Sequence, residues 1–129
     1  MRYSDADHRL LALWAADCAE HVLERFERDC SDDLRPREAI AAARAWVRGK
    51  LPMVEARAAA FAAHAAARTA GDAAAVAAAR AAGHAAASAH VATHAPHAAR
   101  YARDAAGSAA ELDWQREHLP EQLQAVLPL

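Results

Sequence analysis

The chain has 129 residues, of which 55% are hydrophobic, and a formal net charge of -2 at pH 7. Acidic and basic residues are interspersed, so the sequence lacks the basic face with which proteins bind nucleic acid or an anionic membrane. No stretch approaches the roughly 18 apolar residues of a membrane span, and the first residues lack the apolar centre of a signal peptide. We therefore expect a cytoplasmic protein that has neither nucleic acid nor membrane as a partner.

Alanine supplies most of the hydrophobic residues, whereas large aromatic side chains are few, with three Trp, two Tyr and two Phe. Alanine is the strongest helix former, and its small side chain lets helix axes approach closely. The alternating β-branched runs of strands do not occur, and the length suits one domain. These features predict one all-α domain over residues 1–129, a compact alanine-rich bundle of about five to six helices with frayed ends at 1–4 and 128–129.

The first two helices are predicted from apolar spacing and from the position of a proline. Apolar residues recur at helical spacing between Leu10 and Phe26, which predicts a helix over residues 5–27. After a turn, Pro36 at a first helical position opens a second helix, which ends at Gly49.

The third helix opens at Pro52 in the same way and continues to Gly71. A residue without a Cβ suits a left-handed cap, so Gly71 is the predicted C-terminal cap. Asp72 follows directly and is the predicted N-cap of the fourth helix.

The fourth helical pattern is the longest and covers about residues 73–106, but Pro96 interrupts it. Proline removes one backbone donor and crowds the preceding turn. The helix therefore either kinks near Thr93 or restarts there, with Thr93 as its cap and Pro96 in the new first turn.

The C-terminal segment contains two more helix starts. Ser108 and Glu111 have the spacing of a capping box, which predicts a fifth helix from this point. Pro120 then opens a short final helix that carries Leu123 and Leu127.

A few polar side chains with long reach interrupt the alanine runs. His90 and His94 are four residues apart and share one helix face, the spacing that lets two imidazoles reach one metal ion. Tyr101 continues this face, the third helix contributes His64, and the first helix contributes acidic residues. If these helices are neighbours, a polar centre forms for binding, with these members: Asp17, Glu20, His64, His90, His94 and Tyr101.

Three interpretations of these polar residues stay open. They lie on solvated faces or are ordinary core histidines that hydrogen-bond a carboxylate or carbonyl; they line a binding or catalytic pocket; or His64, His90 and His94 hold a zinc ion. Val91 occupies the place of the glutamate that the zinc-protease signature requires. A structural zinc ion also takes four ligands. We therefore expect no catalytic residue and no cofactor, with a divalent metal such as zinc as the alternative.

Two segments are hard to obtain from an alanine-rich composition alone: Trp14-Ala15-Ala16-Asp17-Cys18-Ala19-Glu20 and Ala89-His90-Val91-Ala92-Thr93-His94-Ala95. Together with residues 35–46 and 55–68 they resemble the immunity-protein-five-like family of small helical bacterial proteins, which is associated with polymorphic toxin systems. The resemblance runs from Leu10 to about Leu119. His21, His84, Pro96 and His97 depart from the family pattern and are not expected to share in its function.

The resemblance implies an intracellular bacterial protein that binds and neutralises a cognate toxin. We therefore expect a non-enzymatic interaction protein of the immunity type, in which an acidic or aromatic helical face occludes the toxin. The alternative is a small helical-bundle enzyme, or a binder of metal or a small molecule, that uses the histidine-rich polar centre. Alanine-rich faces also permit a homodimer.

Overall fold

The computed structural model describes residues 3–127 and 129, and this part of the chain contains helices and no strand. The elements are α1 (Asp5–Asp29), α2 (Arg35–Val47), α3 (Met53–Ala67), α4 (Ala73–Ala87), α5 (His94–Ala106), α6 (Ala110–His118) and a 3-10 turn (Glu121–Leu123). The predicted all-α bundle is confirmed. The fraying predicted for residues 1, 2 and 128 lies outside the described residues. None of the described helices is both long enough and apolar enough to cross a membrane.

The central element of the bundle is α4, which packs against α1, α2, α3 and α5. Its buried side consists of alanine and Gly83 alone, and Ala82 and Ala86 are completely buried. Because α4 itself contributes no large side chain to these contacts, its neighbours can approach its backbone closely.

Large side chains fill the core mainly from α1 and from the C-terminal segment. Trp14, Phe26 and Leu11 of α1 are almost completely buried, as is Leu123 of the 3-10 turn. The indole N–H of Trp14 donates to the backbone carbonyl of Gln115 at 3.0 Å, so α6 is tied to α1 inside the core.

Most of the predicted helix ends are observed, but Gly71 is not a left-handed cap. Among the described residues only Gly49 and Gly107, just after α2 and α5, have positive φ values, 72° and 65°. The prediction for Gly71 is wrong because α3 ends earlier, at Ala67. The Thr69 hydroxyl and amide both donate to the carbonyl of Ala66, which closes the last turn without a left-handed residue. Asp72 does cap α4, accepting from the amide of Ala75.

The long fourth pattern is two helices, so Pro96 restarts a helix and does not kink one. The first helix stops at Ala87, and α5 begins at His94 with Pro96 in its first turn. The carbonyl of Ser88, which a continuing helix would use, accepts a hydrogen bond of 2.6 Å from Nε2 of His8. Thr93 occupies the N-cap position but makes no side-chain capping bond, so that part of the prediction is wrong.

The predicted capping box at the start of α6 does not form either. The Ser108 hydroxyl accepts from the amide of Ala110, but the carboxylate of Glu111 turns into the protein and binds His21 of α1. A tertiary partner therefore outweighs the local bond that the spacing predicts. This contact positions the second of the two sites described below.

Candidate functional site

The acidic residues of the predicted polar centre lie on α1 and bind an arginine of α2. The Arg44 guanidinium donates to Asp17 at 2.8 Å and to the two carboxylate oxygens of Glu20 at 2.8 and 3.0 Å. The hydrogen bond with Arg44 is the main reason that the pKa of Glu20 is lowered. Neither carboxylate bonds to an imidazole within the described residues, so the two acids do not form a hydrogen-bonded centre with the histidines.

Histidines meet at a different place, where α3, α4 and α5 come together. The ring of His84 is central: its centroid lies 4.9 Å from that of His64, 5.2 Å from that of His94 and 5.4 Å from that of His97. Tyr101 stacks on His84 at 5.2 Å, with the two rings only 8° from parallel. We call this group the histidine cluster: His64, His84, His94, His97 and Tyr101. The polar centre predicted from the sequence is thus divided between two parts of the molecule.

Gly83 provides the space in which the imidazole of His64 lies against α4. A Cβ atom at position 83 would be 2.6 Å from Cε1 and 2.7 Å from Nε2 of His64, closer than real Cβ contacts. Any larger residue would therefore displace the ring. The lack of a side chain at Gly83 is what lets α3 bring a histidine beside His84.

The surroundings of the cluster favour neutral imidazoles. Burial, followed by the positive charge of His64 and His94, lowers the pKa of His84 to about 3. Burial also lowers the pKa of His64, with Arg80 as the next cause, and that of His94, with His97 as the next cause. Nδ1 of His84 lies 3.0 Å from Nδ1 of His94, a hydrogen bond in which one nitrogen donates and the other accepts.

His90, the remaining predicted residue, is exposed in the turn between α4 and α5 and makes no ring contact with the cluster. The described residues contain no group of three or more His, Cys, Asp or Glu side chains arranged to hold a metal ion. The alternative in which His64, His90 and His94 bind zinc therefore gains no support from the geometry.

Sequence reasoning missed the central position of His84, which had been set aside as a departure from the family pattern. A signal was nevertheless present, because Arg80 and His84 are the only polar side chains of α4 and are four residues apart. That spacing places both on one face of the helix. Which residues of α3 and α5 meet this face depends on the packing of three helices.

A second site lies between α1 and α6 and is built on Trp114. His21 stacks on the indole at 3.8 Å and 7° from parallel, and His118 stacks on it at 4.0 Å and 22°. We call His21, Trp114 and His118 the aromatic stack. Nδ1 of His21 binds the buried carboxylate of Glu111 at 2.7 Å, which orients the imidazole.

Three carboxylates border the aromatic stack and complete an open groove. Asp17, Glu20 and Glu24 line it together with the stack, and their side chains are 41%, 55% and 74% exposed. The residues that line the groove include neither lysine nor arginine, although Arg44 compensates part of the charge from its edge. We call Asp17, Glu20, Glu24 and the aromatic stack the acidic groove. Such a surface suits a partner that presents basic and flat apolar groups.

Four members of the acidic groove were not singled out as site residues by the sequence: His21, Glu24, Trp114 and His118. Trp114 and His118 are one helical turn apart, a signal that was available in the sequence. The pairing of Glu111 with His21 was not available, because the two residues are 90 positions apart and meet only through the fold.

A comparison with known protein families shows to which family this chain belongs. The model of the family described as "Imm-5 like putative immunity protein" matches residues 1–124. The chain belongs to this family. The resemblance found in the sequence is therefore confirmed, and both the histidine cluster and the acidic groove lie within the matched residues. No curated protein and no solved structure matches the chain.

Proposed function

We propose that this chain is an immunity protein that binds and neutralises a cognate bacterial toxin, and that the acidic groove is its contact surface. Family membership supports the general role. The observation that carries the choice of surface is the aromatic stack, in which an indole is held between two imidazoles beside exposed carboxylates.

Rigidity of the stack favours recognition. The rings of His21 and His118 hold Trp114, and Glu111 holds His21, so little side-chain entropy remains to be lost when a partner binds. Tryptophan is also enriched among the residues that contribute most to binding at protein interfaces.

The negative charge of the groove orients a basic partner and speeds its association. Asp17, Glu20 and Glu24 place negative charge along α1 beside the indole, and Arg44 holds the first two in fixed positions. Acidic surfaces increase the association rate with basic partners. The toxin surface complementary to this groove is therefore basic.

The test is protection of bacteria that express a candidate cognate toxin. Wild-type chain should restore growth and should co-purify with the toxin. Glu24→Lys should weaken binding about tenfold or more, because it reverses a groove charge without removing any strong contact of the fold. Trp114→Ala should do the same by removing the anchor of the stack.

Glu55→Lys is the matched control, because Glu55 is an exposed glutamate on α3, outside the groove. It should protect as well as the wild type. Circular dichroism of each purified variant separates lost binding from lost folding. Full protection by both groove variants, or an equal loss with Glu55→Lys, would show that the toxin binds elsewhere.

A further inference from the structure

The arginines beside the histidine cluster lack carboxylate partners among the described residues. On α1, α2 and α6 several arginines pair with carboxylates, as Arg37 does with Glu27 and Arg44 with Glu20. Arg80 and Arg100 form no such ion pair within the described part of the chain. Both guanidinium groups instead lie over the ring of Tyr101, with Cζ 5.9 and 4.8 Å from its centroid.

Hydrogen-bonding groups of the cluster are also left free for a ligand. Neither ring nitrogen of His64 nor the hydroxyl of Tyr101 bonds to another described residue. No buried side-chain nitrogen or oxygen of the described residues lacks a partner. Because both side chains are only half-buried, their free polar atoms must therefore reach solvent. The site thus combines two guanidinium groups with imidazole and phenol donors that do not serve the fold.

An open groove between α4 and α5 adjoins these groups. Its floor is apolar, formed by Ala73, Ala74, Val76 and Ala77, and Arg80 and Tyr101 lie beside it. Asp104 is the carboxylate that lines this groove, and it forms no ion pair with Arg80 or Arg100.

We propose that Arg80, Arg100 and the histidine cluster form a binding site for a phosphate group. A phosphate oxyanion accepts several charge-assisted hydrogen bonds at once, and planar guanidinium groups match its geometry. The apolar floor beside Arg80 offers a place for the organic part of a monoester. This site is separate from the acidic groove and does not depend on toxin binding.

A bound phosphate dianion would add negative charge beside imidazoles that the surrounding positive charges keep neutral. His84 faces His64 from α3 and His94, His97 and Arg100 from α5. His64 in turn faces Arg80 of α4 and Arg68, the residue after α3. His90 lies near His94, and Asp104 is the nearby acid of the groove. Because cations predominate, binding of a phosphate dianion should favour imidazole protonation and so raise the pKa of His84.

The experiment is a titration of the full chain with inorganic phosphate, followed by NMR of the histidine ring protons at a constant ionic strength set with chloride. The His64, His84 and His94 signals should shift and saturate. Arg80→Gln and Arg100→Gln should each weaken binding about tenfold or more, since each removes charge-assisted hydrogen bonds. Asp104→Asn should bind at least as tightly as the wild type.

Arg57→Gln is the matched control, because Arg57 likewise lies over an aromatic ring, that of Phe61 at 5.5 Å, but outside the cluster. It should leave the affinity unchanged. Phenyl phosphate distinguishes the two sources of the ligand: tighter binding than inorganic phosphate supports a monoester, and equal binding supports free phosphate. Two results would overturn the proposal. One is ring signals that do not saturate with phosphate. The other is saturation of Arg80→Gln and Arg100→Gln at the same phosphate concentration as the wild type.

Discussion

Gln115 offers a sharp test of how α6, which carries Trp114, is held on the bundle. Its side chain is completely buried. The amide nitrogen donates to the carbonyl of Ala99 at 2.8 Å, and the amide oxygen accepts from Arg103 at 2.9 Å, both on α5. Gln115→Met keeps the length of the side chain and removes both hydrogen bonds.

The expected loss of stability follows from these two bonds. A neutral hydrogen bond contributes about 1 kcal/mol and one to a charged group about 1.5–3 kcal/mol. The more apolar methionine offsets about 1 kcal/mol of this. We therefore expect the free energy of unfolding to fall by about 1.5–3 kcal/mol, a substantial part of the roughly 5–15 kcal/mol of a typical domain.

Urea denaturation followed by circular dichroism measures this change. Gln122→Met is the matched control: Gln122 also donates to a side chain of another element, Asp7 of α1 at 3.1 Å, but both groups are exposed. Its substitution should change stability by less than about 0.5 kcal/mol. Equal effects of the two substitutions, or a Gln115→Met variant as stable as the wild type, would refute the argument from buried hydrogen bonds.

Two further predictions concern α4 and its neighbours. Ala82→Leu should lower the free energy of unfolding by about 1–3 kcal/mol, because position 82 is completely buried at a close helix contact. Ala58→Leu, at an exposed position of α3, is the control. Equal stability of the two variants in urea would contradict close packing at α4. Stability should also fall as the pH decreases from about 6.5 toward 3, because the unfolded chain takes up a proton at His84 over a range in which the folded chain does not. His84→Gln should reduce this loss in urea titrations at pH 7.5 and pH 5, whereas His118→Gln should leave it intact; an unchanged loss in His84→Gln would disprove the assignment.

Local sequence signals predicted most helix boundaries because those boundaries depend on neighbouring residues. Asp72 caps α4, and Pro36 lies in the first turn of α2, as expected. The predicted capping box failed because a distant residue competed with a local one: the carboxylate of Glu111 bonds to His21. A distant residue also lies where the fourth pattern divides, a point for which the sequence left two outcomes open, since the carbonyl of Ser88 bonds to His8 there.

By itself, the sequence determined the all-α class and the family, because helix propensity, apolar spacing and short motifs are properties of adjacent residues. Only the tertiary structure decided which polar residues meet. Asp17 and Glu20 bind Arg44 and lie outside the histidine cluster. His64 lies beside His84 because Gly83 leaves room for its ring. The physical reason is that alanine faces are nearly alike, so the contacts of a few large or polar side chains select how the helices pack, and those contacts join residues far apart in the chain.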